Sequence, residues 1–207
     1  MNLKGYEFRH RGLHKSVPEN SLASFKKALY RNMPIELDVR ITKDSKIVVF
    51  HDNNLKRMTG IDKKIEKCNY DEIRNIKLNN SEETIPLLTD VLNLINSKVL
   101  LLIEIKSNSK KMYKKLSKIL KKYNNFLIQT FSLKTYYWFK IHTKFKIGIL
   151  TYSNLKLNLI LKPNFISVSK YNAVKINNNI PLFIWTIKNK KELENAKKIG
   201  DSFIVEY

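Results

Sequence analysis

The stretch MPIELDVRITKDSKIVVFHD, Met33–Asp52, decides the fold because it holds two strand-like runs joined by a short link. The runs Ile35–Val39 and Ile47–His51 are rich in β-branched residues, as strands are. Their connection, TKDSK, is far shorter than the roughly dozen residues that a parallel crossover needs. The second run is therefore predicted to fold back on the first as a hairpin.

Strand-like runs recur along the chain and are mostly separated by amphipathic helical patterns. The other runs are Tyr6–His10, Leu100–Ile105, Leu127–Phe131, Lys146–Leu150, Phe165–Ser169, Leu182–Ile187 and Ser202–Glu206. Helical patterns are clearest at Ser21–Tyr30, Leu88–Ile95, Lys110–Tyr123 and Lys190–Ile199. Apart from the hairpin arm, eight strands alternate with helices, which predicts an α/β fold, a compact (β/α)8 TIM barrel with a small hairpin insertion after the second strand.

Length and composition favour a single domain. The chain has 207 residues, 43% of them hydrophobic, which suffices for one substantial core. Residues 1–207 are predicted to form one barrel domain, with the hairpin and a short polar insertion at about 42–85. The longest apolar run, Val99–Ile103, is too short to span a bilayer, and no signal-peptide pattern precedes the first strand. Since Cys68 is the only cysteine, no intrachain disulfide is possible, and we expect a soluble, cytoplasmic protein.

The formal net charge of +21 raises nucleic acid or an anionic membrane as a partner. The lysines are spread along the whole chain among many Asn and Ile residues, a bias typical of an AT-rich genome, so no specific nucleic-acid partner is expected. The densest run, Lys110–Tyr123, places apolar residues on one helical face and lysines on the other. A solvated face of a packed helix is the favoured interpretation, and a peripheral membrane contact is the alternative.

Acidic residues on two predicted strands should face the barrel interior. Side chains alternate between strand faces, and the outer face of a barrel must be apolar, so Glu36, Asp38 and Glu104 are expected to point inward. Crowded, buried carboxylates are unfavourable unless positive charge compensates them. One interpretation is a site for Mg²⁺, Ca²⁺ or Mn²⁺ with oxygen ligands. The other is a structural cluster in which the acids pair with three basic residues, Arg11, Arg40 and Lys106.

Two histidines are predicted beside these acids. His10 ends the first strand and His51 ends the hairpin arm, which puts both at the rim where barrel enzymes place their chemistry. Either histidine alone would more often be structural. Together they can serve as a general acid and base, while Arg11, Lys106 and a cation stabilise an anionic group such as a phosphodiester.

Short motifs in a fixed order complete the sequence pattern. They are HRG (His10–Gly12), PENSLASF (Pro18–Phe25), IELDVRITKD (Ile35–Asp44), VVFHDNNLKRMTG (Val49–Gly60), IPLLTDVL (Ile85–Leu92), IEIK (Ile103–Lys106) and WT (Trp185–Thr186). With this set the sequence resembles the glycerophosphodiester phosphodiesterase family, among the phosphatidylinositol-phospholipase-C-like TIM-barrel phosphodiesterases. The resemblance implies hydrolysis of glycerophosphodiesters to sn-glycerol 3-phosphate and an alcohol, in glycerol and lipid metabolism.

The resemblance also implies roles for individual residues. His10 and His51 match the acid–base pair, and Arg11 and Lys106 match phosphate contacts. The acids matching the ligands of a divalent cation are Glu36, Asp38 and Glu104.

Further matches concern the pocket. Glu19 matches another active-site acid, and Trp185 matches an aromatic residue on the glycerol side, with a core tryptophan as the alternative. Phe131 and Lys170, at later strand ends, are weaker pocket candidates. Asn20 is predicted to cap the helix that starts near Ser21.

The sequence departs from the usual family pattern at two positions, and two other functions compete with the implied hydrolysis. Glu206 stands where the family usually has Asp, and Ser45 stands where a turn glycine is usual. One rival function is a lysophospholipase D-like activity at a membrane surface. The other is a non-catalytic basic protein that keeps the barrel and binds nucleic acid.

Overall fold

The computed structural model describes residues 2–153, 160, 162–174 and 179–207, which form a barrel with an added hairpin arm. The strands are β1 (Glu7–Arg9), β2 (Ile35–Ile41), β3 (Ile47–Val49), β4 (Leu101–Ile105), β5 (Phe126–Thr130), β6 (Ile147–Thr151), β7 (Phe165–Ser169), β8 (Leu182–Ile187) and β9 (Ser202–Val205). The helices are α1 (Leu22–Tyr30), α2 (Lys56–Thr59), α3 (Tyr70–Ile73), α4 (Leu88–Ile95), α5 (Lys110–Leu120), α6 (Leu133–His142) and α7 (Lys190–Lys197), with a 3-10 helix at Ile65–Lys67.

Eight parallel strands close the barrel. Their order is β1, β2, β4, β5, β6, β7, β8, β9, and β1 pairs with both β2 and β9, so the ring has no open edge. β3 pairs antiparallel with the carboxyl end of β2, with Val39 opposite Val49. The predicted TIM barrel and its hairpin are therefore confirmed.

Apolar side chains form one layer outside the sheet and another inside it. The outward residues of β2, Ile35, Leu37 and Val39, belong to the larger cluster between sheet and helices. The barrel interior is filled by Phe8, Leu100, Leu102, Leu127, Phe165, Phe183 and Ile204. The phenyl rings of Phe165 and Phe183 stack with centroids 4.4 Å apart. This inner plug fills the amino-terminal part of the barrel and leaves its carboxyl end for polar groups.

The insertion after β3 has a hydrophobic core of its own. The buried residues of this core are Val48, Phe50, Leu55, Met58, Ile65, Cys68, Ile73, Leu78 and Ile85. The core packs α2, α3 and the 3-10 helix against Val48 and Phe50 of the hairpin arm. A segment that its composition describes as a polar excursion is thus a folded cap beside the barrel mouth.

The helices are short, and the sequence pattern missed one of them. Among the described residues the longest helix, α5, has 11 residues and ends at Leu120 instead of the expected Tyr123. Its lysines are exposed while Tyr113 and Leu116 are buried, which agrees with a solvated face on a packed helix. Helix α6 was not predicted because its run of adjacent aromatic residues hides the helical period. No helix in the described part of the chain is long and apolar enough to cross a membrane.

Candidate active site

Three carboxylates meet inside the carboxyl end of the barrel. Asp38 on β2 lies directly opposite Glu104 on β4, and Glu36 lies one inward position below Asp38. All three are buried, with at most 7% of each residue exposed. One oxygen atom from each lies within 4.8 Å of the others. The structure therefore brings together the acids that the alternation along the two strands predicts.

The crowding of these acids perturbs their ionisation. Burial, reinforced by the charges of Asp38 and Glu104, raises the pKa of Glu36 well above its usual value. Burial also raises the pKa of Glu104, to about 7, against the opposing charge of Lys106. Burial would raise the pKa of Asp38 as well, but Lys106 and Arg11 outweigh it and hold that pKa at about 2. The cluster has more negative charge than its neighbours neutralise.

Two basic side chains contact the carboxylates. Lys106 Nζ lies 2.6 Å from Glu104 Oε1 and 3.3 Å from Asp38 Oδ1. Arg11 Nε lies 3.3 Å from Asp38 Oδ2, and the Arg11 backbone N–H donates to Glu36 Oε2 at 3.0 Å. These are two of the three partners in the predicted salt-bridge cluster.

Arg40 is not the third partner. Its Nε donates to the backbone carbonyl of His51 at 2.8 Å, and its Nη1 lies 4.0 Å from Glu66 in the insertion. The interpretation of Arg40 as an ion-pair partner of the buried acids is therefore wrong, because its guanidinium contacts the end of the hairpin arm and the insertion instead.

Asn20 also differs from its prediction. Ser21 caps α1 by accepting from the Ser24 N–H, whereas the Asn20 side-chain amide donates to Asp38 Oδ2 at 2.8 Å. Asn20 has a φ of +54°, which directs its side chain into the barrel instead of along the helix. The capping assignment is wrong, and Asn20 is a carboxylate-orienting residue that the sequence pattern did not identify.

Each histidine at the rim is held by a carboxylate. His10 Nδ1 lies 2.9 Å from Glu206 Oε2, and His51 Nδ1 lies 2.6 Å from Asp52 Oδ1. Hydrogen bonding through Nδ1 leaves the Nε2 atom of each ring for proton transfer. Burial lowers the pKa of His51, although the charge of Asp38 opposes this.

The residues HRG form a tight turn that places His10 and Arg11 at the same opening. Arg11 has a φ of +54° and Gly12 a φ of +84°, so the chain reverses directly after His10. A Cβ atom on Gly12 would lie 2.4 Å from Ser24 Oγ on α1. The turn resolves how two adjacent residues can both face the barrel opening.

Glu19 joins the barrel site to the insertion. Glu19 Oε1 accepts from Arg11 Nη1 at 2.9 Å and from Arg57 Nη2 at 2.6 Å. Arg57 on α2 also donates from Nε to Asp52 Oδ2 at 2.6 Å, so one guanidinium connects Glu19 with the partner of His51. Arg57 is a site residue that was not predicted, since nothing in its local sequence indicates its distant partner.

A cavity of about 390 Å³ opens between the charged groups and an apolar wall. The charged side is lined by His10, Arg11, Glu36, His51, Glu104 and Lys106, and the other side by Gln129, Phe131, Leu150, Tyr152, Trp185, Thr186 and Ile204. Trp185 thus lines the cavity and also packs against the inner apolar layer of the barrel. Lys170 lies elsewhere, with its Nζ 2.6 Å from Glu192 on α7.

Three aromatic rings form the outer part of the apolar wall. Their centroids are 5.4 Å apart for Phe131 and Tyr152, 5.8 Å for Phe131 and Trp185, and 5.7 Å for Tyr152 and Trp185. Phe131 is 41% exposed and Tyr152 is 67% exposed, so the wall continues onto the surface. The rings pack against one another, with Trp185 edge-on to both of the others.

Comparison with known proteins gives consistent matches over most of the chain. Residues 10–175 match the Glycerophosphoryl diester phosphodiesterase family. A glycerophosphodiester phosphodiesterase of Caldanaerobacter subterraneus is 32% identical over 98% of this chain and 94% of its own length. The human lysophospholipase D GDPD1 is 34% identical over 56% of this chain and 40% of its own length.

Solved structures share the fold. A glycerophosphodiester phosphodiesterase from Thermotoga maritima has a TM-score of 0.82 and 25% identity, covering 99% of this chain and 96% of its own. An Oleispira antarctica phosphodiesterase, solved with its product sn-glycerol 3-phosphate, has a TM-score of 0.88 and 20% identity, covering 99% and 94%.

The barrel, the site at its carboxyl end and these relatives define an enzyme of the phosphoric diester hydrolase class. The chain belongs to the Glycerophosphoryl diester phosphodiesterase family.

Proposed function

We propose that this enzyme hydrolyses glycerophosphodiesters to sn-glycerol 3-phosphate and an alcohol, using His10 and His51 as its acid–base pair and a divalent cation as cofactor. The observation that carries the proposal is the arrangement around one cavity. Two imidazoles, each fixed through Nδ1, line this cavity together with buried carboxylates. The Arg11 guanidinium and the Lys106 ammonium group, which can bind a phosphate, line it as well. The product bound to the Oleispira phosphodiesterase and the name of the Caldanaerobacter relative support this substrate class.

The donor set fits a hard divalent ion. Glu36, Asp38 and Glu104 present oxygen atoms close together, and burial beside other carboxylates raises the pKa values of Glu36 and Glu104, an unfavourable effect that a bound cation relieves. Oxygen ligands of this kind suit Mg²⁺, Ca²⁺ or Mn²⁺. When bound, the ion supplies charge neutralisation for a phosphate oxygen.

Arg11 and Lys106 orient the substrate phosphate in this proposal. Both side chains line the cavity beside the carboxylates, and both are largely withdrawn from solvent. Asp38 and Glu104 keep Lys106 protonated by raising its pKa against the effect of burial. A fixed positive charge in a partly desolvated cavity stabilises the developing charge on the phosphate more than it would in water.

One histidine removes a proton from the nucleophile at its Nε2 atom, and the other donates a proton to the departing alcohol oxygen. The nucleophile is either water or the 2-hydroxyl of the substrate glycerol. Hydrolysis in ¹⁸O-labelled water, combined with detection of a cyclic phosphate, distinguishes these two routes. A cyclic intermediate identifies the internal hydroxyl.

The apolar wall contacts the glycerol part of the substrate. In this wall Trp185 lies deeper and Phe131 lies nearer the mouth of the cavity. Glu19 acts by fixing the Arg11 guanidinium, since its Oε1 accepts from Arg11 Nη1. In this proposal the neutral glycerol part of the substrate contacts the apolar wall, and the charged phosphate contacts the opposite side of the cavity.

A lysophospholipase D-like activity is the second candidate, and the exposed aromatic wall favours it. The rings of Phe131, Tyr152 and Trp185 offer an apolar, partly exposed surface for an acyl chain beside the cavity. A lysolipid assay combined with liposome flotation tests this candidate. The lysine face of α5 is the proposed peripheral membrane contact, and the proposed location is the cytoplasm.

The decisive experiment measures release of glycerol 3-phosphate from several glycerophosphodiesters, with EDTA and with each divalent ion. His10→Ala and His51→Ala should each lower turnover by about 10² to 10⁴-fold. His142→Ala is the matched control, because His142 lies at the end of α6 and contacts the Trp138 carbonyl. Near-normal turnover in either site variant would refute the acid–base assignment. Salt-sensitive nucleic-acid binding that ignores EDTA would favour the non-catalytic rival.

A further inference from the structure

A second group of metal-type donor atoms lies on the other side of His10. Donor atoms of His10, His14 and Glu206 all lie within 4.8 Å of one another. This group shares no residue with the carboxylate cluster of Glu36, Asp38 and Glu104. It contains two imidazoles and one carboxylate, so its chemistry differs from the all-oxygen cluster.

The HRG turn assembles this group. The left-handed conformations of Arg11 and Gly12 fold the chain back after β1, and the fold returns His14 to the side of His10. Glu206 follows β9, the neighbour of β1 in the barrel. His14 and Glu206 line a separate cavity of about 440 Å³, which gives solvent and ions access from outside the substrate cavity.

The His14 ring has an unsatisfied nitrogen. Its Nε2 atom is buried and has no hydrogen-bond partner among the residues that the structure describes. Buried polar atoms in native proteins are usually paired, so this imidazole nitrogen, beside another imidazole and a carboxylate, is suited to bind a ligand. A metal ion satisfies such a nitrogen without requiring a second protein group.

We propose that His10, His14 and Glu206 form an inhibitory site for Zn²⁺ or a similar first-row transition-metal ion. Two imidazole nitrogens and one carboxylate oxygen are a zinc ligand set, with water in the remaining position. Ligand atoms about 2.1 Å from a tetrahedral ion are roughly 3.4 Å apart. His10 Nδ1 and Glu206 Oε2 are 2.9 Å apart, and the three donor atoms all lie within 4.8 Å of one another, so the group is compact enough to surround one ion.

Occupancy of the site withdraws His10 from its carboxylate partner. Nδ1 of His10 now donates its hydrogen to Glu206 Oε2, so binding of the ion requires that this proton leaves Nδ1 and that Nε2 takes up a proton from solvent. The freed Nδ1 lone pair and the Glu206 oxygen then bind the ion. His10 can then no longer act as the general acid or base of the hydrolysis. The inhibition rests on the proposed function of His10, whereas binding of the ion does not.

Cobalt spectroscopy tests binding without any need for activity. Co²⁺ in a tetrahedral site with nitrogen ligands absorbs visible light strongly, whereas Co²⁺ in an octahedral oxygen site absorbs weakly. We expect the strong bands in the wild-type protein and in His142→Ala, and their loss in His14→Ala and His14→Gln. Weak bands alone in the wild-type protein, or strong bands that persist in both His14 variants, would overturn the proposal.

Zinc inhibition tests the consequence. With the activating divalent ion in excess, Zn²⁺ should inhibit the wild-type enzyme reversibly, and His14→Ala should keep basal turnover while requiring at least about tenfold more Zn²⁺. Equal sensitivity of His14→Ala and the wild-type enzyme would overturn the inhibitory role. If no substrate is turned over at all, the proposed function fails, but the cobalt bands still decide whether the site exists. Circular dichroism confirms that each variant is folded.

Discussion

At the scale of single residues, the two histidines differ in how they are held. Glu206 contacts His10 from the neighbouring strand end, whereas Asp52 follows His51 directly in the chain. Asp52 is itself fixed by Arg57, so the orientation of His51 depends on the insertion. The two imidazoles are therefore oriented by carboxylates from different parts of the fold, and each carboxylate can be tested separately.

Asp52→Asn should lower kcat by about 10- to 100-fold with little change in KM, because the amide no longer fixes the His51 tautomer through Nδ1. Steady-state kinetics on the best glycerophosphodiester measures this effect. Asp62→Asn is the matched control in the same insertion, since Asp62 is exposed and pairs with Lys56. An unchanged kcat in Asp52→Asn would show that His51 does not need this support.

Glu206→Gln should reduce the acid sensitivity of folding. The hydrogen bond from His10 lowers the pKa of Glu206 from its unfolded value near 4.5 to about 2. The carboxylate therefore stabilises the fold above pH 4.5, and this contribution disappears as the pH falls towards 2. Since about a third of the side chain is exposed, we expect a contribution of only about 1 kcal/mol.

Urea unfolding at a series of pH values measures this effect. At pH 7 the free energy of unfolding should be lower in Glu206→Gln than in the wild-type protein, and the two curves should converge below pH 3. Parallel curves across this range would contradict the role of the His10 contact in stability. Glu194→Gln, on the exposed side of α7, serves as a control for the loss of one surface carboxylate.

At the scale of elements, the inner layer of the barrel depends on one glycine in β6. A Cβ atom on Gly148 would lie 2.2 Å from the Phe165 ring, which stacks on Phe183. Gly148→Ala should therefore lower the free energy of unfolding by about 1–3 kcal/mol. Denaturant unfolding measures the loss, and Gly148→Ala combined with Phe165→Leu should recover part of it. A double variant no more stable than Gly148→Ala would contradict this steric explanation.

Strand positions and the inward-facing acids could be predicted because both follow from local alternation. Glu36 and Asp38 are two residues apart on one strand, and Glu104 takes the equivalent position on another. Contacts between distant segments could not be predicted in this way. Asn20 contacts Asp38, and Arg57 contacts Glu19, because turns bring these segments together. The periodicity of hydrophobic residues carries no information about the geometry of such turns. Helix α6 was missed because aromatic residues face several directions within one turn.

At the scale of the whole molecule, the charge inside the barrel is opposite in sign to the net charge of the chain. The chain carries a net +21, yet its buried cluster is acidic and includes two carboxyl groups with raised pKa values. Surface lysines are solvated and contribute little to the potential inside the barrel. The fold therefore concentrates negative charge where a hard cation is proposed and leaves the basic excess on the outside.

A bound divalent ion should consequently stabilise the entire barrel. Folding raises the pKa of Glu36, so its ionised form destabilises the folded protein at neutral pH unless a cation compensates it. An ion present at about 100 times its dissociation constant adds about 2.7 kcal/mol, which raises Tm by roughly 5–10 °C in a chain of this size. Calorimetry with Mg²⁺, Ca²⁺, Mn²⁺ or EDTA measures this shift.

Glu36→Gln provides the sharpest comparison for the same measurement. Without divalent ions this variant should have a Tm at pH 7 at least equal to that of the wild-type protein, because it no longer buries the Glu36 charge. With divalent ions its Tm should rise much less, because one ligand is lost. Glu82→Gln, at a fully exposed position, should behave like the wild-type protein. Equal ion-dependent shifts in Glu36→Gln and Glu82→Gln would mean that the stabilising ion binds elsewhere, and the buried acids would then be a salt-bridge cluster with Arg11 and Lys106.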